Sequence, residues 1–342
     1  MSSSSPAAVL VSNGAVSPHA PPSAAAFLDS TAGAYTTARG SLHWWPRHLR
    51  RLTESAALLA RSHPHLLGLP EPRRAPLDLF SGTPVHALVN PSVRLAIREM
   101  RRRLPAISAE NLALTALVRA GGDTVSGDGL DVFVHAGTYA PPVFGESGAR
   151  VAVAGGGREA AAAKYAPWAR MRKSMEKMRP PGVTELLLSN DGDHILEGAV
   201  TNFFVVCQQE EREKNGPFSS QAIDTEFVVQ TAPLSDGVLP GIIRQIVIEV
   251  CHDIGIPVQE ISPSWSRHEF WKEAFVTSSL RLIQHVESVQ VPLLWEDIQS
   301  KTWSDVPWGV KQFQGVGCIT TKIQMEILKR ARREEYDINN LL

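Results

Sequence analysis

The stretch LLLSNDGDHILEGAVTNFFVV, residues 186–206, sets the architecture of the second half of this 342-residue chain. Two apolar runs flank turn-forming residues at 190–193, which predicts a β-hairpin, and NFFVV predicts a strand directly after it. Glu197 is a lone carboxylate inside the apolar part of this stretch. Because an unpaired buried charge is costly, Glu197 requires a cation or a hydrogen-bond donor, and a protonated pyridine nitrogen would serve.

The charge composition disfavours several classes of partner. The chain carries 34 Lys and Arg against 35 Asp and Glu, a net charge of −1. No excess of either sign favours nucleic acid or an anionic membrane, so a small-molecule site is the better expectation. No apolar run reaches membrane-spanning length, and the Ser-rich start MSSSSPAA lacks a signal-peptide core. We expect a cytoplasmic protein, with a plastid address as the open alternative.

The three cysteines, Cys207, Cys251 and Cys318, lie far apart and without CxxC spacing. Each stands in an apolar or Gly-rich context. We therefore expect three reduced thiols in the core, in a reducing compartment.

The order of predicted elements favours a mixed α/β fold of the α+β class, with two domains rather than one doubly wound sheet. The N-terminal α+β domain is predicted over residues 1–145 and the C-terminal α+β domain over 161–342. Between them, the Gly- and Ala-rich residues 146–160 are the predicted linker. A polar segment at 209–224 is expected to be a surface excursion.

Local patterns predict the elements of the first half. AAVLVSNGAV predicts a hairpin with its turn at Asn13 and Gly14, and GAYTTARGSLHWW predicts strands on both sides of Gly40. Helical periodicity predicts one helix from about Pro46 and another over 91–104. The arginine run 101–103 on the second helix is interpreted as a solvated face rather than a phosphate site.

Several standard catalytic motifs are missing from the sequence. It contains no GxSxG elbow, no GxxxxGK[ST] loop and no HExxH helix, and GGGREA lacks the GxGxxG spacing. His63 and His65 have no acidic or cysteine companions nearby, so no metal site is expected. Hydrolase, kinase, dinucleotide and zinc chemistry all lose support.

Two further features suit a phosphorylated aromatic cofactor. In SDGVLPGIIR, Gly241 precedes an amphipathic helix whose first amides, at Ile242 and Ile243, would form an anion site. A plain helix-capping loop is the alternative interpretation of that segment. Lys164 follows an alanine run that could desolvate its amine, lowering its pKa enough for attack on an aldehyde.

Five segments, in unchanged order, resemble the fold-type IV pyridoxal-phosphate enzymes, which include branched-chain and D-amino-acid aminotransferases and 4-amino-4-deoxychorismate lyase. LEGAVTNFFVV is similar to their EGxxxNxF strand and LSDGVLPGIIR to their LxGxxR phosphate loop. RHLRRLTESAALL resembles the EHxxRLxxSA helix, FVTSSLRLIQHV the TNSLRGxxPV strand, and GVGCITTKIQMEIL the closing GPxTxxI helix. The similarity runs over nearly the whole chain.

The resemblance implies a two-domain enzyme with pyridoxal 5'-phosphate at the domain interface. Glu197 would then hold the ring nitrogen, while Arg51, Ser279 and the Gly241 loop, with the amides of Ile242 and Ile243, would hold the phosphate. In this family the Schiff-base lysine precedes that glutamate by a little over thirty residues. Lys164 precedes Glu197 by 33 residues, whereas Lys173 and Lys177 lie too close.

The resemblance leaves the reaction less certain than the cofactor. Tyr35, Arg119 and Leu280 fall at positions that face the substrate in the family, although Arg119 could instead be a solvent-exposed strand end. Ala169 stands where branched-chain enzymes have Tyr, which moves specificity toward the D-amino-acid and lyase branches.

The expected function is transfer of an amino group between an amino acid and a 2-oxo acid by a homodimer. The alternatives are an aminodeoxychorismate lyase, which releases pyruvate to form 4-aminobenzoate, and a catalytically inactive cofactor-binding or scaffold homologue. The inactive alternative rests on Ile243, where Thr is usual, and on TAG at 31–33, where GDG is usual.

Overall fold

The structure is a computed structural model that describes residues 7–69, 84–121, 129–209 and 226–336. The chain divides into two compact units. The first unit combines Met1–Pro141, Ala160–Lys173 and Arg330–Leu342, and the second unit combines Pro142–Glu159 and Ser174–Lys329. Most of the polar segment expected at 209–224 lies outside the described residues.

The first unit is built on a five-stranded antiparallel sheet with helices on both faces. Its strands are β1 (Ala8–Ser12), β2 (Ala15–Val16), β3 (Ala34–Arg39), β4 (Leu112–Ala120) and β5 (Leu130–Thr138), in the order β2-β1-β5-β4-β3. Its helices are α1 (Ala24–Ser30), α2 (Trp45–Ser62), α3 (Val85–Arg103) and α4 (Trp168–Met171). Short 3-10 turns cover Pro64–Leu67 and Ala109–Asn111.

The predicted hairpin and helices of the first unit are confirmed. Asn13 and Gly14 have φ of 47° and 78°, as a two-residue hairpin turn requires, and they join β1 to β2. Helix α2 starts one residue before Pro46 and buries Leu52 and Leu59 completely. It packs against β3 and β4, which places its buried polar residues beside those strands.

Two predictions about the first unit need correction. No strand follows Gly40, because Leu42 and Trp44 take left-handed φ values of 52° and 55° that turn the chain directly into α2. Helix α3 begins at Val85 and not at residue 91, so that Pro91 lies inside it. The added turn is held by tertiary contacts, among them a bond of 3.0 Å from Trp45 Nε1 to Asn90 Oδ1.

The second unit holds a nine-stranded mixed sheet. Its strands are β6 (Ala149–Val153), β7 (Glu185–Ser189), β8 (Ile195–Gly198), β9 (Asn202–Gln208), β10 (Phe227–Thr231), β11 (Val258–Glu260), β12 (Trp271–Ser278), β13 (Leu282–Pro292) and β14 (Trp308–Gln312). The order is β11-β10-β9-β12-β13-β6-β7-β8, and β14 pairs with β13. The remaining helices are α5 (Lys173–Glu176), α6 (Ile242–Asp253), α7 (Asp297–Ser300) and α8 (Cys318–Arg333), with 3-10 turns at Leu234–Asp236 and Trp265–Phe270.

The hairpin predicted from the opening stretch is β7–β8, and β9 follows it as predicted. The segment expected to be a linker instead contains β6, which pairs in parallel with β7 and β13 and buries Val151 and Val153 fully. Its β-branched residues favour a strand in spite of the Gly- and Ala-rich flanks. The unit boundaries therefore differ from those expected, and the Lys164 segment belongs to the first unit.

Other outcomes concern the surface and the overall class. The mixed α+β class is confirmed. Arg101, Arg102 and Arg103 are exposed, and the last two pair with Glu99 on the same helix, so the solvated interpretation is confirmed. Within the described ranges, no helix is both long and apolar enough to cross a bilayer.

Candidate functional site

Lys164 lies on a segment that runs along β3, the edge strand of the first unit's sheet. The Tyr35 amide donates to the Lys164 carbonyl at 2.9 Å, and the Ala166 amide donates to the Gly33 carbonyl at 2.9 Å. The Lys164 amide donates to Ser55 Oγ on α2 at 3.1 Å. This backbone pairing fixes a half-buried side chain whose Nζ lies 4.8 Å from the centroid of the Tyr35 ring.

Arg51 extends from the buried face of α2 and is only 7% exposed. Its Nη2 donates to Thr36 Oγ1 on β3 at 3.1 Å, and the same hydroxyl oxygen lies 2.8 Å from His48 Nδ1. The pKa of His48 lies well below its usual value, chiefly because burial penalises the imidazolium and further because Arg51 and Lys164 are nearby positive charges. Lys164 and Arg51 thus create a positive region around a neutral histidine.

Tyr35 and Arg119 lie on the opposite face of the sheet from Thr36, as the alternation along β3 and β4 dictates. Tyr35 is 7% exposed and packs in an apolar cluster with Leu117. Arg119 pairs with Asp131 on β5 at 3.2 Å, and its guanidinium lies 4.9 Å from the centroid of the Phe133 ring. Arg119 therefore contacts neighbouring side chains, while 40% of its side chain is exposed.

Glu197 is buried on β8, and a residue absent from the sequence-based site provides its cation. Arg158 donates to Glu197 Oε1 from Nε at 2.9 Å and from Nη2 at 2.6 Å. The two side chains are 5% and 3% exposed. Two N–H groups of one planar guanidinium donate to a single carboxylate oxygen, so the hydrogen bonds are charge-assisted. The low exposure of both side chains keeps the pair nearly free of water.

The second oxygen of Glu197 connects it to the loop before α6. Oε2 accepts from the Leu239 amide at 3.0 Å and from Asn202 Nδ2 at 3.4 Å, and Asn202 Nδ2 also donates to the Leu239 carbonyl at 3.0 Å. The loop is anchored further along by Arg244, whose Nη2 donates to the Ala232 carbonyl at 2.8 Å. Arg244, the last residue of the LxGxxR pattern, therefore stabilises the loop through a buried hydrogen bond.

Helix α6 begins at Ile242 without a side-chain cap. Gly241 precedes it, and a Cβ there would lie 2.0 Å from Asn202 Oδ1, so a glycine is required by close approach. The helix has 12 residues, and no side chain caps its first amides. Its N-terminus therefore presents a partial positive charge. The bulky side chains of Ile242 and Ile243 are buried, which leaves their backbone amides as the functional groups.

Ser279 and Leu280 lie in the tight turn between β12 and β13, and both are half-buried. Arg281 in the same turn pairs with the buried Glu185 at 2.5 Å. Two residues before Ser279, Thr277 pairs in register with Asn202 on β9 and is 1% exposed. Its Oγ1 is buried and has no hydrogen-bond partner among the described residues.

The predicted residues thus fall into two groups. The first unit brings together Lys164, Arg51 and Tyr35, with Arg119 farther along the face of Tyr35, and the second unit brings Glu197 next to the Gly241 loop. Sequence reasoning missed His48, Thr36, Arg158, Asn202 and Thr277. Asn202 stands within the quoted EGxxxNxF pattern, which is used only to identify the strand. Arg158 stands within GGGREA, which is considered only as a dinucleotide-binding loop. No group of three or more metal-ligating side chains occurs in the part of the chain that the structure describes.

Comparison with known proteins places these features in one family context. The family model described as amino-transferase class IV matches residues 33–289. A comparison with curated proteins finds no match.

Solved structures match over almost the whole chain. The fold IV-transaminase CpuTA1 from Curtobacterium pusillum has a TM-score of 0.62 at 17% identity, over 93% of this chain and 98% of that one. The branched-chain aminotransferase from Thermoproteus uzoniensis has a TM-score of 0.59 at 19% identity, over 96% of both chains. A putative 4-amino-4-deoxychorismate lyase from Legionella pneumophila has a TM-score of 0.56 at 18% identity, over 92% of this chain and 96% of that one. At these identities the likeness shows the fold and not the substrate.

Proposed function

Since this chain belongs to the amino-transferase class IV family, we propose that it is a pyridoxal-phosphate-dependent transaminase, which moves an amino group from an amino acid to a 2-oxo acid. The observation that carries the proposal is the position of the half-buried Lys164 amine over the Tyr35 ring. After burial, the positive charges of Arg51 and Lys164 are the next causes that lower the pKa of His48, so both lie near this histidine. An amine and a guanidinium therefore lie in one region of the first unit, as a Schiff-base lysine and a phosphate ligand would.

The residues of both units fit parts of this cofactor. Arg51 suits a phosphate, because a guanidinium offers fixed charge and several donors. In the second unit, the uncapped start of α6 also suits an anion, and Gly241 keeps the backbone there bare. Thr277, with its buried hydroxyl on the strand paired to Asn202, is a further donor in the same sheet. These observations support the assignment of pyridoxal 5'-phosphate as the cofactor.

Each residue has a proposed role toward the cofactor. Pyridoxal phosphate supplies, when bound, an aldehyde that captures amines and a ring that withdraws electrons from the carbon beside the captured nitrogen. Lys164 would hold the aldehyde carbon and then move the proton at the substrate Cα. Arg51, Ser279 and the amides of Ile242 and Ile243 would hold the phosphate.

Glu197 is proposed to hold the ring nitrogen and to keep its proton. Its pairing with Arg158 supports this role, because the guanidinium fixes the direction of the carboxylate in a buried environment. The Leu239 amide holds the other oxygen, so the loop before α6 and the carboxylate are oriented together.

Tyr35, Arg119 and Leu280 are the proposed substrate-side residues. Tyr35 lies against Lys164, which supports a place for it beside the reacting carbon. Arg119 would bind a substrate carboxylate only by sharing or leaving Asp131. Replacement of Arg119 by Ala is therefore expected to raise KM for the amino acid more than it lowers kcat.

The test of the proposal is chemical. Purified protein mixed with pyridoxal phosphate is expected to turn yellow, and borohydride reduction is expected to fix the cofactor on the peptide that contains Lys164. Lys164→Ala should abolish both fixation and turnover, while Lys173→Ala, which removes an exposed lysine paired with Asp29, is the matched control. A protein that gains no absorbance would favour an inactive scaffold.

Half-reactions separate the transaminase from the lyase. A panel of L- and D-amino acids and aminodeoxychorismate should bleach the bound cofactor only for true substrates. Transamination requires a 2-oxo acid for turnover, whereas a lyase releases pyruvate and an aromatic amine without an acceptor. The TTAR residues of β3, similar to the lyase branch, are the reason to include aminodeoxychorismate.

We also propose a homodimer as the working assembly, by analogy with the family, and a reducing compartment such as the cytosol. The second proposal is supported by three free cysteines. Light scattering on the purified holoenzyme measures the first.

A further inference from the structure

His48 and Thr36 form a buried hydrogen-bonded chain that ends on Arg51. His48 and Arg51 are three residues apart on α2, so they project from one side of that helix toward β3, which carries Thr36. The exposed fractions of Thr36, His48 and Arg51 are 0%, 1% and 7%. No solvent-facing group interrupts the chain, so its hydrogen bonds are formed within the protein.

The direction of each hydrogen bond follows from the donors available. A guanidinium can only donate, so Thr36 Oγ1 accepts from Arg51 Nη2 at 3.1 Å. The hydroxyl has one hydrogen left, and His48 Nδ1 at 2.8 Å is the acceptor for it among the described residues. This direction assigns to His48 the neutral tautomer with its proton on Nε2. Trp45 stacks beside the ring at 5.9 Å between centroids.

This arrangement acts on Arg51 rather than on Lys164. An arginine side chain loses rotamer entropy when it is fixed. A ligand that meets a guanidinium already held in place does not have to fix it, which strengthens binding. Thr36 fixes one edge of the guanidinium, and His48 fixes the rotation of the Thr36 hydroxyl so that its lone pair faces Arg51.

We propose that Thr36 and His48 are positioning residues, which hold Arg51 in the orientation that binds the cofactor's phosphate. This inference rests on the proposed function, in which Arg51 is a phosphate ligand. It assigns to Thr36 and His48 no contact with the substrate or with the reacting atoms. Substitution of Thr36 or His48 should therefore weaken only the phosphate's contribution to cofactor affinity.

The test compares two probes that differ only in the phosphate. The dissociation constants of pyridoxal phosphate and of pyridoxal are measured by absorbance on the full-length protein, and their ratio gives the phosphate-specific part of the affinity. Thr36→Val keeps the shape of the side chain and removes its hydroxyl. We expect this variant to reduce the ratio by about tenfold, as the loss of one charge-assisted hydrogen bond would, with pyridoxal affinity unchanged.

Matched variants guard against a merely structural effect. Thr36→Ser restores a hydroxyl and should restore the ratio. His48→Asn keeps an acceptor close to the position of Nδ1 and should retain most of the ratio, whereas His48→Leu should lose it as Thr36→Val does. A fall in the affinities of both probes together, or a Thr36→Val ratio equal to that of the wild type, would overturn the inference.

Arg51→Met separates failure of this inference from failure of the proposed function. If the wild type does not prefer pyridoxal phosphate to pyridoxal, or if Arg51→Met leaves that preference intact, Arg51 is not the phosphate ligand and both proposals fall. If Arg51→Met removes the preference and Thr36→Val does not, only the positioning role falls.

Discussion

Individual buried charges in this protein are matched by partners from distant parts of the chain. Glu197 is the clearest case, because its apolar sequence context predicts a buried carboxylate and the structure supplies Arg158 as its cation. His48 is the converse case, a base whose pKa is lowered first by its burial and then by the charged groups around it. Such groups make stability depend on specific substitutions and on pH in ways that can be measured.

Removal of the Arg158 guanidinium is expected to be strongly destabilising. Arg158→Met would leave the Glu197 carboxylate, 3% exposed, without this ion pair. Loss of one partner of a buried pair costs about 3–5 kcal/mol in the free energy of unfolding, measured by urea denaturation. The double variant Arg158→Met, Glu197→Gln should recover part of that loss, because the charge left behind is gone. A single variant within about 1 kcal/mol of the wild type would contradict the expected cost.

Acid is expected to destabilise the fold through His48. The pKa of His48 lies well below 6.5, first because the ring is buried, and then because Arg51, Lys164 and His43 face it. The unfolded chain thus takes up a proton below about pH 6.5 that the folded chain does not, so the free energy of unfolding falls as pH decreases from that value. Urea denaturation of the wild type at about pH 7.5 and about pH 5.5 should show this loss. The His48→Asn variant should lose less stability between these two pH values, because the contribution of His48 is absent and only those of the other histidines remain. An equal loss of stability in the variant and the wild type would exclude His48 as the source.

At the level of secondary structure, tertiary contacts fix the start of a helix as well as its local sequence does. Helix α8 begins after Gly317, and its first amides are held by a carboxylate from β12. Glu273 Oε2 accepts from the Thr320 amide at 2.7 Å, and Oε1 accepts from the Ile319 amide at 3.0 Å. A Cβ on residue 317 would lie 1.7 Å from the Glu273 carboxyl carbon, which explains the glycine of the closing helix pattern.

Replacement of Glu273 by Ala is therefore expected to loosen the start of α8. Loss of an N-terminal cap costs about 0.5–2 kcal/mol, and Lys272→Ala, on the exposed neighbouring residue, is the control. Cys318, the first residue of α8, reports the local opening through the rate of its reaction with a thiol reagent. That rate should rise in Glu273→Ala and stay constant in Lys272→Ala. If both variants label alike, the carboxylate does not hold the helix.

Taken as a whole, the molecule has two folded units and thiols that differ in accessibility. Cys207 and Cys251 are buried, and burial raises the pKa of each thiol to about 12. Cys318 is exposed, which corrects the expectation that all three belong to the core. A thiol reagent at about pH 8 should therefore modify one cysteine in the native protein and three after denaturation. Rapid modification of more than one native thiol would show that the core is open.

The sequence alone predicts the local elements with strong periodicity, such as α2, α6 and the β7–β8 hairpin. It fails where the local signal is ambiguous. The Gly- and Ala-rich flanks of β6 conceal a central strand, and Gly40 is followed by left-handed residues that no propensity indicates. These positions depend on neighbours that only the folded chain provides.

The amino-acid order contains the family motifs, the buried carboxylate at 197 and the glycine before α6, because these are properties of short segments. It does not contain the partners of those residues. Arg158 on Glu197, Thr36 and His48 on Arg51, and Glu273 on the first amides of α8 join elements that are separated along the chain. Such pairs form because buried polar groups must be satisfied within the protein, and which group satisfies which depends on the packing of strands and helices in three dimensions.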